Sequence, residues 1–264
     1  MSSIKLPRLR KIDPNKPKKK KILLLADDLR MHSGIATMSR EFVLGTCQEY
    51  DWVQLGAAIK HPDAGKVFDI SEDARKETGV DDASVKIYPV DGYGDANILK
   101  QIINIEKPDA ILHFTDPRFW RQTMPLMYYN IWDDLPYPTW NEPFYESCDL
   151  LMNISRQTQN IVKNVLQKFP KPDWAVQWVP HGVNEKKFFP ITPLTDGHDE
   201  YIKFKEEFQK TNDVDFVVFW NNRNIHRKHP GDVILAFNNF CETLSKEKAE
   251  RCALLMHTQP IDQN

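Results

Sequence analysis

The chain alternates short apolar runs with segments of helical periodicity, and this alternation restricts the fold more than any other feature. The run ILLLA at 22–26 is continuous and apolar, as expected for a parallel strand covered on both faces. Helical patterns between such runs predict an α/β fold with a parallel sheet. The predicted strands are 22–26, 52–56, 85–90, 110–114, 126–132, 149–155 and 175–180, and the predicted helices are 35–50, 95–107 and 156–169.

A second α/β unit is predicted in the last third of the chain. It contains a helix at 200–210, a strand at 215–220, a helix at 230–244 and a strand at 252–258. A lone β-α-β unit cannot complete a sheet, and open strand edges are a liability, so we expect an incomplete second domain. The predicted organisation is a basic arm at 1–21, a first domain at 22–190, a linker with a helix at 191–213 and the start of the second domain at 214–264.

Charge is distributed unevenly along the sequence. The first 21 residues carry nine Lys or Arg and one acid, Asp13, which leaves 26 of the 35 basic and 36 of the 37 acidic residues in the rest of the chain. This arm has three prolines and few apolar residues, so we expect it to lack stable structure. Two interpretations stay open: contact with nucleic acid or an anionic membrane surface, or a solvated leader.

Composition excludes several classes of protein. With 41% apolar and 27% charged residues, the chain is typical of a soluble globular protein. No run approaches the roughly 18 apolar residues of a membrane span. The four cysteines show no CxxC pair and no metal-ligand spacing, which indicates reduced thiols of a cytoplasmic protein and no metal site.

The loop at 27–34 follows the first predicted strand and precedes the first predicted helix. Such a helix start offers free N–H groups and the positive end of the helix dipole, and it binds anionic ligands in many α/β proteins. Ser33 and Gly34 lie at this point, and a glycine lets a ligand approach the backbone closely. A plain turn glycine is the alternative interpretation.

A second loop, WNNRNIHRKHP at 220–230, lies between a predicted strand and a predicted helix. Arg223 and Lys228 are five residues apart in it, and Pro230 stands near the helix start. Two cations at a helix N-terminus predict a diphosphate site, since Arg gives bidentate geometry and Lys a point charge. The alternative is a solvated basic turn.

Four segments of the chain occur in the order known from one enzyme family. They are HSGIATMSREFV at 32–43, CDLLMNISRQTQNIV at 148–162, WVPHGVNEKKFFP at 178–190 and FVVFWNNRNIHRKHPGDVILAF at 216–237. Through them, the chain after residue 21 resembles the retaining GT-B-fold glycosyltransferases that use nucleotide-sugar donors, the large family-4-like group. The PHGV...FFP segment and the R-x4-K spacing are the more specific parts of this resemblance.

The resemblance implies a Rossmann-like N-terminal domain followed by the start of a second, C-terminal Rossmann-like domain. It implies that Arg223 and Lys228 hold the donor diphosphate and stabilise the departing nucleotide. It also implies that Ser33 and Gly34 contact the same diphosphate. The donor would be a nucleoside-diphosphate sugar, with no cofactor and no obligatory metal.

The acceptor side is less defined by the resemblance. It implies a catalytic role for His113 and an acceptor-side position for Asp116, although Thr115 replaces a second histidine that is common in relatives. Asp133 is a further acceptor-side candidate, with a loop cap as the alternative for it and for its neighbour Asp134.

The acceptor and the oligomeric state are left open by the sequence. Relatives carry an acidic E-x7-E element in the later part of the second domain, and we expect it to fall outside this chain. Two rival functions remain. One is a non-catalytic GT-B binding module, and the other is a phage-type DNA-base glycosyltransferase that contacts DNA through the basic arm.

Overall fold

The computed structural model describes residues 18–58, 63–92, 95–115 and 124–260. These residues form two compact units, which divide between Gly182 and Val183. We call them unit 1 and unit 2. The first 17 residues of the predicted arm and the acceptor-side candidate Asp116 lie outside the described residues.

Unit 1 is built on an eight-stranded sheet with the order β3-β4-β2-β1-β5-β6-β7-β8. Every neighbouring pair is parallel except β3 with β4, which is antiparallel. The strands are β1 (Lys20–Asp27), β2 (Tyr50–Ala58), β3 (Phe68–Asp69), β4 (Val85–Asp91), β5 (Ala110–His113), β6 (Leu126–Asn130), β7 (Leu150–Asn153) and β8 (Val176–Trp178). The predicted parallel sheet is therefore confirmed.

Within the described part of unit 1, five helices accompany these strands and give the sheet an apolar core on each face. They are α1 (Gly34–Thr46), α2 (Ser71–Thr78), α3 (Ala96–Glu106), α4 (Glu142–Ser147) and α5 (Arg156–Val165). Within β1, Leu23 and Leu25 belong to one core cluster, whereas Leu24 and Ala26 belong to the other. This explains why the run at 22–26 is apolar at every position, because both faces of the strand are covered.

The sheet order places a topological switch point at β1. From β1 the chain proceeds to β2 and β4 on one side, and then returns to β5 on the other side. Leu25 of β1 is paired with His113 of β5, so the carboxyl ends of these two strands are neighbours. In open α/β sheets, ligands bind in the crevice at such a point.

Helix α2 was not predicted, and the predicted helix 35–50 is too long. Helix α2 is polar along most of its length, so it lacks the apolar periodicity on which the prediction depended. Its ends do carry signals, because the Asp69 side chain accepts from the backbone N–H of Ser71 and Gly79 ends the helix in the left-handed conformation. Helix α1 ends at Thr46, and β2 begins only four residues later.

Unit 2 contains the predicted β-α-β unit. Its strands β9 (Phe216–Asn221) and β10 (Cys252–His257) pair in parallel, and its helices are α6 (His198–Asn212), α7 (Pro230–Glu242) and α8 (Lys246–Ala249). Among the described residues of this unit, only Val214 is buried. Several large apolar side chains of β9 and α7, such as Phe219 and Leu235, are exposed.

The last lysines of the predicted arm, at 19–21, are held against unit 1. Lys19 pairs with Asp82 at 2.7 Å and donates to the carbonyl of Cys47 at 2.7 Å. Lys21 lies in β1 and pairs with the buried Glu106 at 2.8 Å. These cations therefore stabilise unit 1, and only the residues before them can serve as a separate arm.

Candidate functional site

The loop at 28–33 connects β1 to α1 at the carboxyl edge of the sheet. Ser33 is the N-cap of α1, since its hydroxyl oxygen accepts from the backbone N–H of Ala36 at 3.0 Å. The same hydroxyl donates to the carboxylate of Asp27 at 2.6 Å. A diphosphate at this position would compete with Asp27 for the Ser33 proton, so the predicted diphosphate contact of Ser33 stays a prediction.

Gly34 is the first residue of α1, and the space beside it is open. A Cβ atom added there would meet no described atom within 4 Å. Gly34 does not have a positive φ, so no backbone strain requires a glycine at this position. The glycine provides room beside the helix N-terminus, as a ligand contact needs, and its role in donor binding stays a prediction.

An ion pair that we did not predict, between a buried carboxylate and a solvent-accessible arginine, shapes the same loop. Asp28 is fully buried and accepts from Arg30, with Nε at 3.0 Å and Nη2 at 2.9 Å. These hydrogen bonds raise the pKa of Arg30. Gly56 of β2 leaves room for the pair, because a Cβ there would lie 2.9 Å from Asp28 Oδ2. The Arg30 side chain is therefore held by Asp28 of the same loop. The sequence DDLR contains both charged residues but does not indicate that they pair.

A row of polar side chains follows the last apolar layer of the sheet. Leu25, His113, Tyr128 and Leu151 are paired in register across four neighbouring strands. In each of these strands, the residue two positions further along the chain is polar. These residues are Asp27, Thr115, Asn130 and Asn153. The carboxyl edge of unit 1 is therefore polar at the switch point and on the β6 side of it.

His113, the predicted catalytic histidine, is fully buried one layer below this row. Its ring makes edge contacts with Tyr128 at 5.6 Å and with Phe144 at 5.3 Å between centroids. The structure places it among core aromatic side chains, and its catalytic role stays a prediction. Thr115 is only 8% exposed, and its hydroxyl has no hydrogen-bond partner among the described residues.

Two buried asparagines, which we did not predict, fix the chain beyond β6. Asn130 donates to Asn153 Oδ1 at 3.3 Å and accepts from the backbone N–H of Trp132 at 3.1 Å. Asp133, the remaining acceptor-side candidate, lies in the exposed segment that follows, where its carbonyl accepts from Gln157 at 2.9 Å. The Asp133 carboxylate has no hydrogen bond with any described residue.

The PHGV segment at 180–183 begins against the same edge. The ring of His181 stacks on Tyr129, with 5.4 Å between centroids and 14° between planes. The Tyr129 hydroxyl donates to the carbonyl of Val179 at 2.8 Å, and burial raises the pKa of Tyr129 to about 12. Burial of the stacked ring face lowers the pKa of His181, which favours neutral imidazole.

The basic loop of unit 2 lies between β9 and α7. Arg223, Arg227 and Lys228 are all exposed, and a short 3-10 turn spans His226–Lys228. His229 follows in the left-handed conformation, and its ring lies 3.2 Å from Asp232 in the first turn of α7. In the described part of the chain, no acid forms an ion pair with Arg227 or Lys228. The loop therefore presents cationic side chains beside the N-terminus of a 13-residue helix.

The described residues show neither a metal site nor a membrane span. They contain no group of three or more His, Cys, Asp or Glu side chains that could hold a metal ion. None of their helices has the length and apolar character needed to cross a membrane.

Comparison with solved structures gives the fold class. Over 92% of its length the chain is similar to an α,α-trehalose-phosphate synthase (UDP-forming) from Burkholderia vietnamiensis, with a TM-score of 0.55 and 11% identity. Over 93% it is similar to an α,α-trehalose 6-phosphate synthase from Burkholderia multivorans, with a TM-score of 0.58 and 12% identity. No family model and no curated protein matches the sequence.

These similarities show the fold, which is of the GT-B type. The predicted fold class is thus confirmed. The chain spans 64% and 66% of the two synthase chains, consistent with a second domain present in part. At these identities the comparisons show fold alone.

Proposed function

We propose that the chain is part of an enzyme that transfers a sugar from a nucleoside-diphosphate sugar to an acceptor, with retention at the anomeric carbon. The observation that carries the proposal is the loop of unit 2, where Arg223 and Lys228 lie exposed between a parallel strand and a helix N-terminus. Cations beside a helix N-terminus favour the binding of a diphosphate. The GT-B fold supports it, since one of the structural neighbours is a UDP-forming synthase.

The chemistry follows from the charge on the leaving group. When the bond between the anomeric carbon and the diphosphate breaks, its electron pair passes to the leaving oxygen. The acceptor oxygen bonds to the anomeric carbon, and the acceptor proton passes to the diphosphate. Arg223 and Lys228 would stabilise the charge that develops on the diphosphate, so the reaction needs no metal from the protein.

Titration of the chain with UDP, GDP and ADP by calorimetry tests this proposal. We expect all three to bind, because they share the diphosphate that the loop of unit 2 recognises. Lys228→Ala should weaken that binding by about tenfold or more, because a hydrogen bond to a charged group is worth about 1.5–3 kcal/mol. Arg223→Ala should weaken it as well.

Lys205→Ala is the matched control, since Lys205 is an exposed lysine of α6 in the same unit. It should leave nucleotide affinity unchanged. Equal affinity of the Lys228→Ala and unsubstituted chains would remove the support for a diphosphate site in this loop.

A further inference from the structure

The segment after β6 exposes a group of aromatic side chains at the carboxyl edge of unit 1. Trp140 is 59% exposed and Tyr137 is 39% exposed. Trp132 is partly exposed, and its ring meets that of Trp140 edge-on at 5.8 Å between centroids. We call Trp132, Tyr137 and Trp140 the aromatic surface. Large exposed rings grouped in this way mark interaction sites.

Buried hydrogen bonds hold both ends of this segment. Asn130, two residues before Trp132, donates to the hydroxyl of Tyr145 at 3.4 Å. Asn141, the residue after Trp140, donates to the same hydroxyl at 3.4 Å. All three of these polar residues are buried. Because one hydroxyl accepts from both ends, the two tryptophans are fixed relative to each other before any ligand binds.

Hydrogen bonds within the segment fix the Trp132 ring further. Its indole N–H donates to the carbonyl of Asp134 at 2.9 Å, and its backbone N–H donates to Asn130. The carbonyl of Asp133 is held by Gln157 of α5. The segment is therefore anchored both to the core and to a neighbouring helix, as a preorganised binding surface requires.

The charges beside the aromatic surface restrict its ligand. Asp133 and Asp134 are exposed within two residues of Trp132, and no basic residue occurs between 124 and 155. The next basic residue, Arg156, places its guanidinium over the ring of Trp178, 4.2 Å from the ring centroid. Such a surface repels phosphate groups, which argues against nucleic acid and anionic lipid. Carboxylates accept hydrogen bonds from hydroxyl groups, whereas the flat rings pack against an apolar face. A pyranose offers both an apolar ring face and peripheral hydroxyls.

We propose that the aromatic surface binds a pyranose ring of a saccharide acceptor, with Trp140 stacking on the ring and Asp133 accepting from its hydroxyls. This inference rests on the proposed glycosyl transfer for its reaction, and it names the acceptor class. It applies to unit 1 alone.

The test uses an array of mono-, di- and trisaccharides of common hexopyranoses, probed with the full chain. The same slide carries single-stranded and duplex DNA. We expect retention on at least one pyranoside, and Trp140→Ala should weaken that binding about tenfold, while Trp140→Phe keeps part of it. Trp174→Ala is the control, because Trp174 is 68% exposed but precedes the amino end of β8.

Three outcomes would overturn the inference: no pyranoside retained, equal retention by Trp140→Ala, or retention of DNA instead of sugar. Nucleotide titration of the Trp140→Ala chain separates this failure from failure of the proposed function. Nucleotide binding without sugar binding would overturn only the aromatic surface. Sugar binding that needs Trp140, without nucleotide binding, would overturn only the proposed transfer reaction.

Discussion

Replacing Glu106 with Gln should destabilise unit 1 in a pH-dependent manner. Glu106 is the last residue of α3 and is buried. Its carboxylate accepts from Lys21 at 2.8 Å, from Tyr88 at 2.6 Å and from Lys86 at 3.1 Å. It thus connects α3 to β1 and β4, and β1 is the strand that leads into the loop at 28–33.

The magnitude follows from the pKa of Glu106. Burial acts to raise this pKa, but the hydrogen bonds from Lys21, Tyr88 and Lys86 outweigh burial and lower it from 4.5 to about 2. At about 1.4 kcal/mol per pKa unit, the shift corresponds to about 3 kcal/mol of stability. Lys86 is partly exposed, and solvent screening reduces the expected loss to about 2 kcal/mol.

The sign of the pH dependence is fixed by the lowered pKa. A carboxylate whose pKa is lower in the folded state than in the unfolded state stabilises the folded protein. This contribution is complete above the pKa of the unfolded state, and it disappears as the pH falls through the pKa of the folded state. The difference in free energy of unfolding between the unsubstituted and Glu106→Gln chains should therefore reach its full value of about 2 kcal/mol at pH 7. It should shrink to about 1 kcal/mol at pH 3 and vanish below about pH 2.

Urea unfolding at several pH values measures this difference. With a slope of about 2 kcal/mol per molar urea, the midpoint at pH 7 should fall by about 1 M. Glu72→Gln is the control, because Glu72 forms an exposed i,i+4 pair with Lys76 and should cost at most about 0.5 kcal/mol. If Glu106→Gln lowers the free energy of unfolding by the same amount at pH 7 and at pH 3, the explanation based on the Glu106 charge is refuted.

Two further predictions concern the carboxyl edge. Gly34→Ala and Gly45→Ala, both in α1 with open space at the added Cβ, should each raise stability by up to about 1 kcal/mol in urea unfolding. Only Gly34→Ala should weaken nucleotide binding, and equal calorimetric affinities would exclude Gly34 from the donor site. Thr115→Val should raise the free energy of unfolding by about 1 kcal/mol, because it removes a buried hydroxyl that lacks a described partner. The change would be measured as a higher urea midpoint. A lower midpoint would show that the hydroxyl is bonded.

The sheet was predictable because parallel strands covered on both faces are mostly apolar at every position. The run at 22–26 and the first part of the predicted strand 126–132 therefore identify β1 and β6 without any knowledge of tertiary contacts, although β6 ends at Asn130. The short helix α4 and the two-residue strand β3 carry no such periodicity. Their positions depend on packing against β6 and β4, which a single sequence does not specify.

The candidate site was predictable only where its chemistry is local. The cations Arg223 and Lys228 lie in one loop, so the sequence alone groups them. The sequence shows the opposite charges of Asp28 and Arg30, but the burial of the Asp28 carboxylate depends on the space left by Gly56 in another strand. The common bond of Asn130 and Asn141 to one hydroxyl depends on contacts that only the folded chain makes.

One sequence signal nevertheless points to the carboxyl edge. Apolar runs in this chain end on a polar residue, as in LMYYN at 126–130 and DLLMN at 149–153. An amide buried at the end of a strand costs free energy unless it is hydrogen-bonded, so Asn at such a position needs partners from neighbouring strands. Asn130 and Asn153 meet this need by bonding each other, and Asn130 then orients Trp132. In this sheet, the asparagines that end two adjacent strands therefore anchor the segment that follows β6 at the carboxyl edge.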